Sequence, residues 1–192
     1  MSDGADRLRL FLAVSVPPEV LGQLEAALES HRPSVPGARW APIENQHVTL
    51  KFLGTVEVGR LSAIEEICRS VATGALPSFV AVDGIGAFPR ARRARVLWAG
   101  LDDPEGLVAR LALSVAEGLE PLGYEAEARA FTPHLTLARL KSPAPVQKLI
   151  DLVEFRSEPF EIGAFHLYRS HLSPQGARYE ILETFVLGGE GR

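Results

Sequence analysis

His47-Val48-Thr49-Leu50 returns as His134-Leu135-Thr136-Leu137, an offset of 87 residues (134 − 47). Each copy continues in strand-forming residues, Lys51-Phe52-Leu53 and Ala138-Arg139-Leu140. Alternate side chains of a strand share a face, so His and Thr point one way while the flanking Val or Leu residues point the other. Each copy therefore offers an imidazole and a hydroxyl on one face, with apolar anchors behind. One such tetrad alone is more simply a half-buried strand. Here the repeat reaches further: at the same offset Leu10 falls on Leu97, Pro17 on Pro104, Leu24 on Leu111 and Leu28 on Val115. The chain reads as a duplicated unit, roughly 7–90 and 94–187. Two copies at so long a period do not make a solenoid.

The 192 residues suit one domain or two small lobes with a sizeable core, and 46% hydrophobic with 23% charged residues is ordinary globular composition. A net charge of −4 excludes a broad electrostatic grip on long nucleic acid, though not a local basic patch. The lone Cys68, among Ile64, Ile67 and Val71, reads as a packed core thiol. The apolar run Leu8 to Val16 contains Arg9 and stops at Pro17-Pro18, too short and interrupted for a membrane span. A cytoplasmic monomer is expected.

Along the chain, Arg7–Val16 predicts a buried strand. A helix starting at Pro17-Pro18 follows, with Val20, Leu21, Leu24 and Leu28 on its core face. His31–Pro42 reads as a loop carrying Arg39 and Trp40, the latter a core lid before it is a base-stacking platform. A second helix is expected over Val58–Val71 and a strand over Pro77–Ile85, ended by Gly84 and Gly86. Four arginines occur within Arg90–Arg95, either a solvated tip or a contact to a phosphate backbone. After the strand Arg95–Leu101, Asp102-Asp103-Pro104-Glu105 predicts a helix with proline at its first position. A short strand is expected over Tyr124–Ala130, a short helix over Pro145–Val153, and closing strands over Phe160–Arg169 and Tyr179–Leu187. Strands and helices alternate, yet the end is a hairpin, and neither a dinucleotide-type glycine loop nor a phosphate loop is present. The fold class expected from this pattern is α+β, with mixed, mostly antiparallel sheets and helices packed on one side.

If the halves face each other about a pseudo-two-fold, both histidines and both threonines line one central cleft. One neutral imidazole would take a proton from water while the other, protonated, serves the leaving oxygen. Threonine hydroxyls would donate to the non-bridging phosphate oxygens. A cation is still wanted, and Lys51, Arg139 and the Arg90–Arg95 loop are the candidates by position. A metal site completed by Asp83, His166 or His171 is the chemical rival, but the spacing is wrong for it and the paired threonines would go unexplained. A serine or cysteine nucleophile lacks its motif.

The paired motifs and the strand Arg9 to Pro17 resemble the two-histidine (2H) phosphoesterases, above all the LigT-like RNA 2′,3′-cyclic phosphodiesterases, historically called 2′-5′ RNA ligases. The supporting stretches are Arg39-Trp40, Glu44–Gly54, Gly86–Pro89, Arg95–Trp98, Pro133–Arg139 and Gly176–Tyr179, spanning nearly the whole chain. The resemblance implies a bilobal fold, two mostly antiparallel sheets facing a central cleft with helices packed outside. It also implies metal-independent, cofactor-free hydrolysis of RNA-terminal 2′,3′-cyclic phosphate to 2′-phosphate, with ligation as a side activity. It implies His47 as proton donor to the 3′ oxygen, His134 as base, Thr49 and Thr136 as phosphate ligands, and Arg139 as their helper. Strand parity turns Arg139 away from the cleft unless a bulge intervenes. Trp40, Phe52, Phe131 and Tyr168 are the base-contact candidates. Two other readings stand beside this one, a protein that binds RNA ends without turnover and a phosphodiesterase of small cyclic nucleotides.

Overall fold

The structure is a computed structural model that describes residues 7–125, 130–174 and 176–189. Among these described residues, nine strands and four α-helices follow in the order β1 (Arg7–Ser15), α1 (Pro18–Glu29), β2 (Ala38–Trp40), β3 (His47–Glu57), α2 (Leu61–Thr73), β4 (Ser78–Phe88), β5 (Ala94–Asp102), α3 (Leu107–Leu119), β6 (His134–Ala144), α4 (Gln147–Leu152), β7 (Phe160–Ile162), β8 (Ala164–Ser173) and β9 (Gly176–Val186). The strands pair antiparallel in the order β7-β4-β5-β6-β3-β1-β8-β9, with β2 added on β6. This is the expected α+β class.

Two arms of the sheet meet at one residue pair, Val48 opposite Leu135, where β3 touches β6. On one side lies the arm β3-β1-β8-β9 and on the other its counterpart β6-β5-β4-β7. The repeat units interlock: β4 from the first half pairs with β5 of the second, and β8 from the second pairs with β1 of the first. The duplication therefore holds in space, though each arm borrows its outer strands. In the borrowed pairs Tyr168 faces Phe11 and Gly86 faces Trp98, so Gly86 stands where Tyr168 stands in the other arm. The repeated Ile-Gly-Ala-Phe tetrads at 85 and 162 do not occupy equivalent places.

The sheet's two faces differ. Leu10, Leu12 and Val14 of β1 join the main core with Leu24 and Leu28 of α1, Ile64 and Cys68 of α2, and Leu111 and Val115 of α3. Phe11, Ala13 and Tyr168 form a smaller cluster on the opposite face. Helices thus bury one side and leave the other to the cleft. Burial pushes the Cys68 thiol up to about 12, as a core thiol requires.

Some boundaries depart from expectation. β4 runs through Gly84 and Gly86 to Phe88, because Gly84, at φ 70°, takes a register shift against β5 that keeps the strand paired. α3 begins at Leu107 rather than at Pro104: the Asp103 carboxylate accepts the N–H groups of Leu107 and Val108 across a turn containing Gly106 at φ 64°. The expected strand Phe160–Arg169 breaks at Gly163 into β7 and β8, which join different arms. The loop over 31–42 contains the short strand β2. Of the strand expected over Tyr124–Ala130, residues 126–129 lie outside the described residues.

A Cβ on Gly86 would sit 2.2 Å from the Trp98 ring. Gly86→Ala is expected to cost about 1–3 kcal/mol by overpacking, read from urea unfolding. Unchanged stability would contradict this packing.

Candidate active site

The Val48–Leu135 pair brings the preceding residues, His47 and His134, to the middle of the molecule from opposite directions. Each ring is tied to a carbonyl two residues upstream: His134 Nδ1 donates to Thr132 O at 2.6 Å, and His47 to the Asn45 carbonyl. Asn45 and Thr132 are themselves related by the 87-residue offset. With Nδ1 of His134 so engaged, its Nε2 is the atom left to take or give a proton.

The two environments differ. His47 stacks on Phe11 at 4.7 Å, lies 5.8 Å from Tyr168 and meets the edge of Tyr179 at 5.2 Å. His134 meets the edge of Phe88 at 5.1 Å and is 6.2 Å from Trp98. Burial in the aromatic enclosure lowers the His47 pKa to about 4, opposed in part by the Asn45 hydrogen bond. In this enclosure His47 is neutral at pH 7.

Matching bulges answer the parity of Arg139. Against β5, Leu97 faces Ala138 and Trp98 faces Thr136, so Leu137 is the extra residue on β6. Against β1, Leu12 faces Lys51 and Ala13 faces Thr49, so Leu50 is extra on β3. Each bulge resets the alternation, burying both Leu137 and Ala138 and turning Arg139 outward. The counterpart of Arg139 on the first strand is Phe52, which is 57% exposed.

His47, Thr49, His134, Thr136 and Arg139 all line one cleft of about 590 Å³. Arg9, Phe11, Arg39, Asn45, Phe52 and Tyr179 line it with them. Lys51 does not: it is buried, and its ammonium donates to the Glu125 carbonyl. Strand parity from His47 puts Lys51 in the cleft, and the bulge at Leu50 inverts that face, as the bulge at Leu137 does for Arg139. The Arg90–Arg95 arginines are also outside the lining, Arg90, Arg92 and Arg93 between β4 and β5 and Arg95 at the start of β5. Trp40 packs against the core beneath the Arg32 guanidinium, 4.9 Å from the ring centroid, and is a lid rather than a platform. Tyr168 lies behind Phe11, and Phe131 is outside the lining.

The residues of the rival metal set are engaged elsewhere. Asp83 pairs with Arg156 at 2.6 Å, His171 with Glu180 at 2.7 Å, and His166 lies between Ser15 and Thr184. Arg9 and Tyr179 were not anticipated as cleft residues. Arg9 shares strand parity with Phe11 and with Ser15, the partner of His47, and that alternation was the available signal.

The antiparallel arms, the symmetric His-X-Thr pairs and the cationic cleft define a two-histidine phosphoesterase. A family described as LigT like Phosphoesterase matches residues 14–98 and 101–179, and the chain belongs to that family. It is 32% identical over 186 residues to an RNA 2′,3′-cyclic phosphodiesterase of Methanothermobacter thermautotrophicus, covering 94% of this chain and 100% of that one. With the protein of the same name from Archaeoglobus fulgidus it shares 36% over 182 residues, covering 93% and 99%. Among solved structures, a Thermus thermophilus protein superposes with a TM-score of 0.80 at 32% identity, covering 96% of this chain and 100% of that one. Escherichia coli LigT in apo form gives 0.77 at 26% identity, covering 94% and 98%. Among the described residues no helix is long and apolar enough to cross a membrane.

Because folding favours neutral His47, the stabilisation is complete above the ordinary value of 6.5 and is lost as pH falls from there toward 4. NMR titration is expected to place His47 near 4. The acid loss of stability, at most about 3 kcal/mol, should be reduced in His47→Gln. A midpoint near 6.5 would contradict the desolvation of His47 by its aromatic neighbours.

Proposed function

We propose that this protein hydrolyses RNA-terminal 2′,3′-cyclic phosphate to 2′-phosphate by two-histidine acid–base catalysis, without a metal. The observation that carries the reading is the symmetric placement of two backbone-anchored imidazoles, each with a threonine two residues on, in one cleft. The names of the relatives point to the same substrate.

Thr49 and Thr136 donate hydrogen bonds to the non-bridging oxygens and Arg139 adds positive charge. His134 takes a proton from water as its oxygen attacks phosphorus. The bond from phosphorus to the 3′ oxygen breaks, and His47 gives that oxygen its proton, leaving the phosphate on the 2′ oxygen. Because His47 is neutral in its aromatic enclosure, it takes up its proton together with the anionic substrate, whose charge offsets the desolvation. The same lowered pKa favours a second reading, in which His47 is the base and His134 the acid. Joining a cyclic phosphate to a 5′-hydroxyl follows the same path with a hydroxyl replacing water, and bulk water keeps it a side reaction. On this reading the chain is a single bilobal domain acting as a cytoplasmic monomer with no cofactor.

With a short RNA ending in a 2′,3′-cyclic phosphate, in chelator, the product is expected to be the 2′-phosphate. His47→Ala and His134→Ala should each lower kcat by about 10²–10⁴. Full activity in both variants, or activity only after a divalent ion is restored, would sink the proposal.

A further inference from the structure

We infer that Arg39 and Arg139 form a second phosphate subsite, which takes the phosphate on the 5′ side of the terminal nucleotide. The inference rests on the phosphodiesterase reading and names the substrate that its cleft is built for: the end of a chain, rather than a lone nucleoside cyclic phosphate.

Arg39 on β2 stands directly opposite Arg139 on β6. Cross-strand partners share a face with Cβ atoms about 5 Å apart, and like charges placed so repel each other unless an anion lies between them. Both line the cleft, and Arg9 lines it too. No aspartate or glutamate is among the described lining residues, although the chain carries 24 acids against 20 lysines and arginines. Four arginines elsewhere are matched, Arg7 with Glu57, Arg32 with Glu25, Arg69 with Glu65, and Arg156 with Asp83 and Asp102. Others, such as Arg60 and Arg110, are exposed without an acidic partner among the described residues, so what sets the cleft arginines apart is that they converge on one concave lining. Among the described residues Arg9, Arg39 and Arg139 have no acidic partner.

Arg39 is held there by the backbone. β2 crosses to pair with β6, Ala41 N–H donates to Leu137 O at 2.8 Å, and Trp40 packs into the core under Arg32. A three-residue strand fixed at both ends thus presents one guanidinium beside another. Two guanidinium forks on neighbouring strands of one cleft suit the oxygens of a phosphodiester. The cyclic phosphate occupies the histidines and threonines. Arg139, three residues beyond Thr136, lies between the two phosphates, and Arg39 belongs to the second alone. A nucleoside cyclic phosphate with a free 5′-hydroxyl has nothing to place there.

The test compares three substrates: a nucleoside 2′,3′-cyclic phosphate, the same compound with a 5′-phosphate, and a dinucleotide ending in a 2′,3′-cyclic phosphate. The intact protein is expected to prefer the latter two in kcat/KM by about tenfold or more. Arg39→Ala should remove most of that preference, chiefly through KM, and reduce the salt dependence for the dinucleotide by about 0.7 in log–log slope. Arg39→Lys should restore part of both. A dinucleotide preferred well above the 5′-phosphorylated compound identifies RNA as the source of the second phosphate, and equal preference identifies a phosphorylated nucleotide. No preference in the intact protein, or one that Arg39→Ala leaves intact, overturns the subsite. Absence of any turnover by the intact protein overturns the phosphodiesterase reading instead. The subsite is then decided by comparing the affinities of a dinucleotide 2′-phosphate and a nucleoside 2′-phosphate for the intact protein and Arg39→Ala.

Discussion

Between the two arms of the sheet runs a single backbone pairing, Val48 with Leu135, and the cleft exists because the pairing stops there. Both residues are fully buried, and from them β3 and β6 leave in opposite directions, each pairing next within its own arm. A longer ladder would close the cleft, and no ladder would let the histidines drift apart. With one pair, His47 and His134 are fixed by backbone on either side of the join while both still line the cleft. The carbonyls of Asn45 and Thr132 then set the rotation of each ring. The interlocked outer strands, β4 on β5 and β8 on β1, tie the two repeat halves together, since each half supplies strands to both arms.

The duplication supplies matching geometry and the substitutions upon it supply chemical difference. His47 has Phe11, Tyr168 and Tyr179 about it, where His134 has Phe88 and Trp98. At the place of Tyr168 the second arm has Gly86, into whose space the Trp98 ring extends. Beyond the bulges one strand presents Phe52 and the other Arg139. A reaction needing an acid on one side of phosphorus and a base on the other needs such asymmetry, because identical sites would hold their protons equally. The described lining, free of carboxylates, keeps the cleft receptive to anions although the chain as a whole is negative.

The sequence carried the fold class and pointed to five residues that the structure gathers in one cleft, since the repeat announces the symmetry and strand alternation aims His and Thr together. It did not carry what depends on single insertions of backbone. Lys51 and Arg139 each lie just past an extra leucine, so parity counted from the histidine gives the wrong face for both. Strand β2, three residues flanked by prolines, has too little pattern to separate from a loop, and Arg39 was therefore placed only beside Trp40. Gly163 divides one apolar stretch between two arms, a long-range choice of partner that local periodicity does not encode. Asp103 caps α3 from four residues before its start, which displaced the expected first turn.

The division of labour between the histidines is tested most directly by changing the leaving group. A 3′-deoxynucleoside 2′-(aryl phosphate) diester keeps the 2′-phosphate but expels a phenolate that needs no proton, so only the base remains necessary. With this substrate the deficit of His47→Ala, relative to the intact protein, should shrink well below its deficit on the cyclic phosphate. The deficit of His134→Ala should persist. Equal persistence in both variants would contradict a shared acid–base mechanism, and recovery confined to His134→Ala would reverse the two roles.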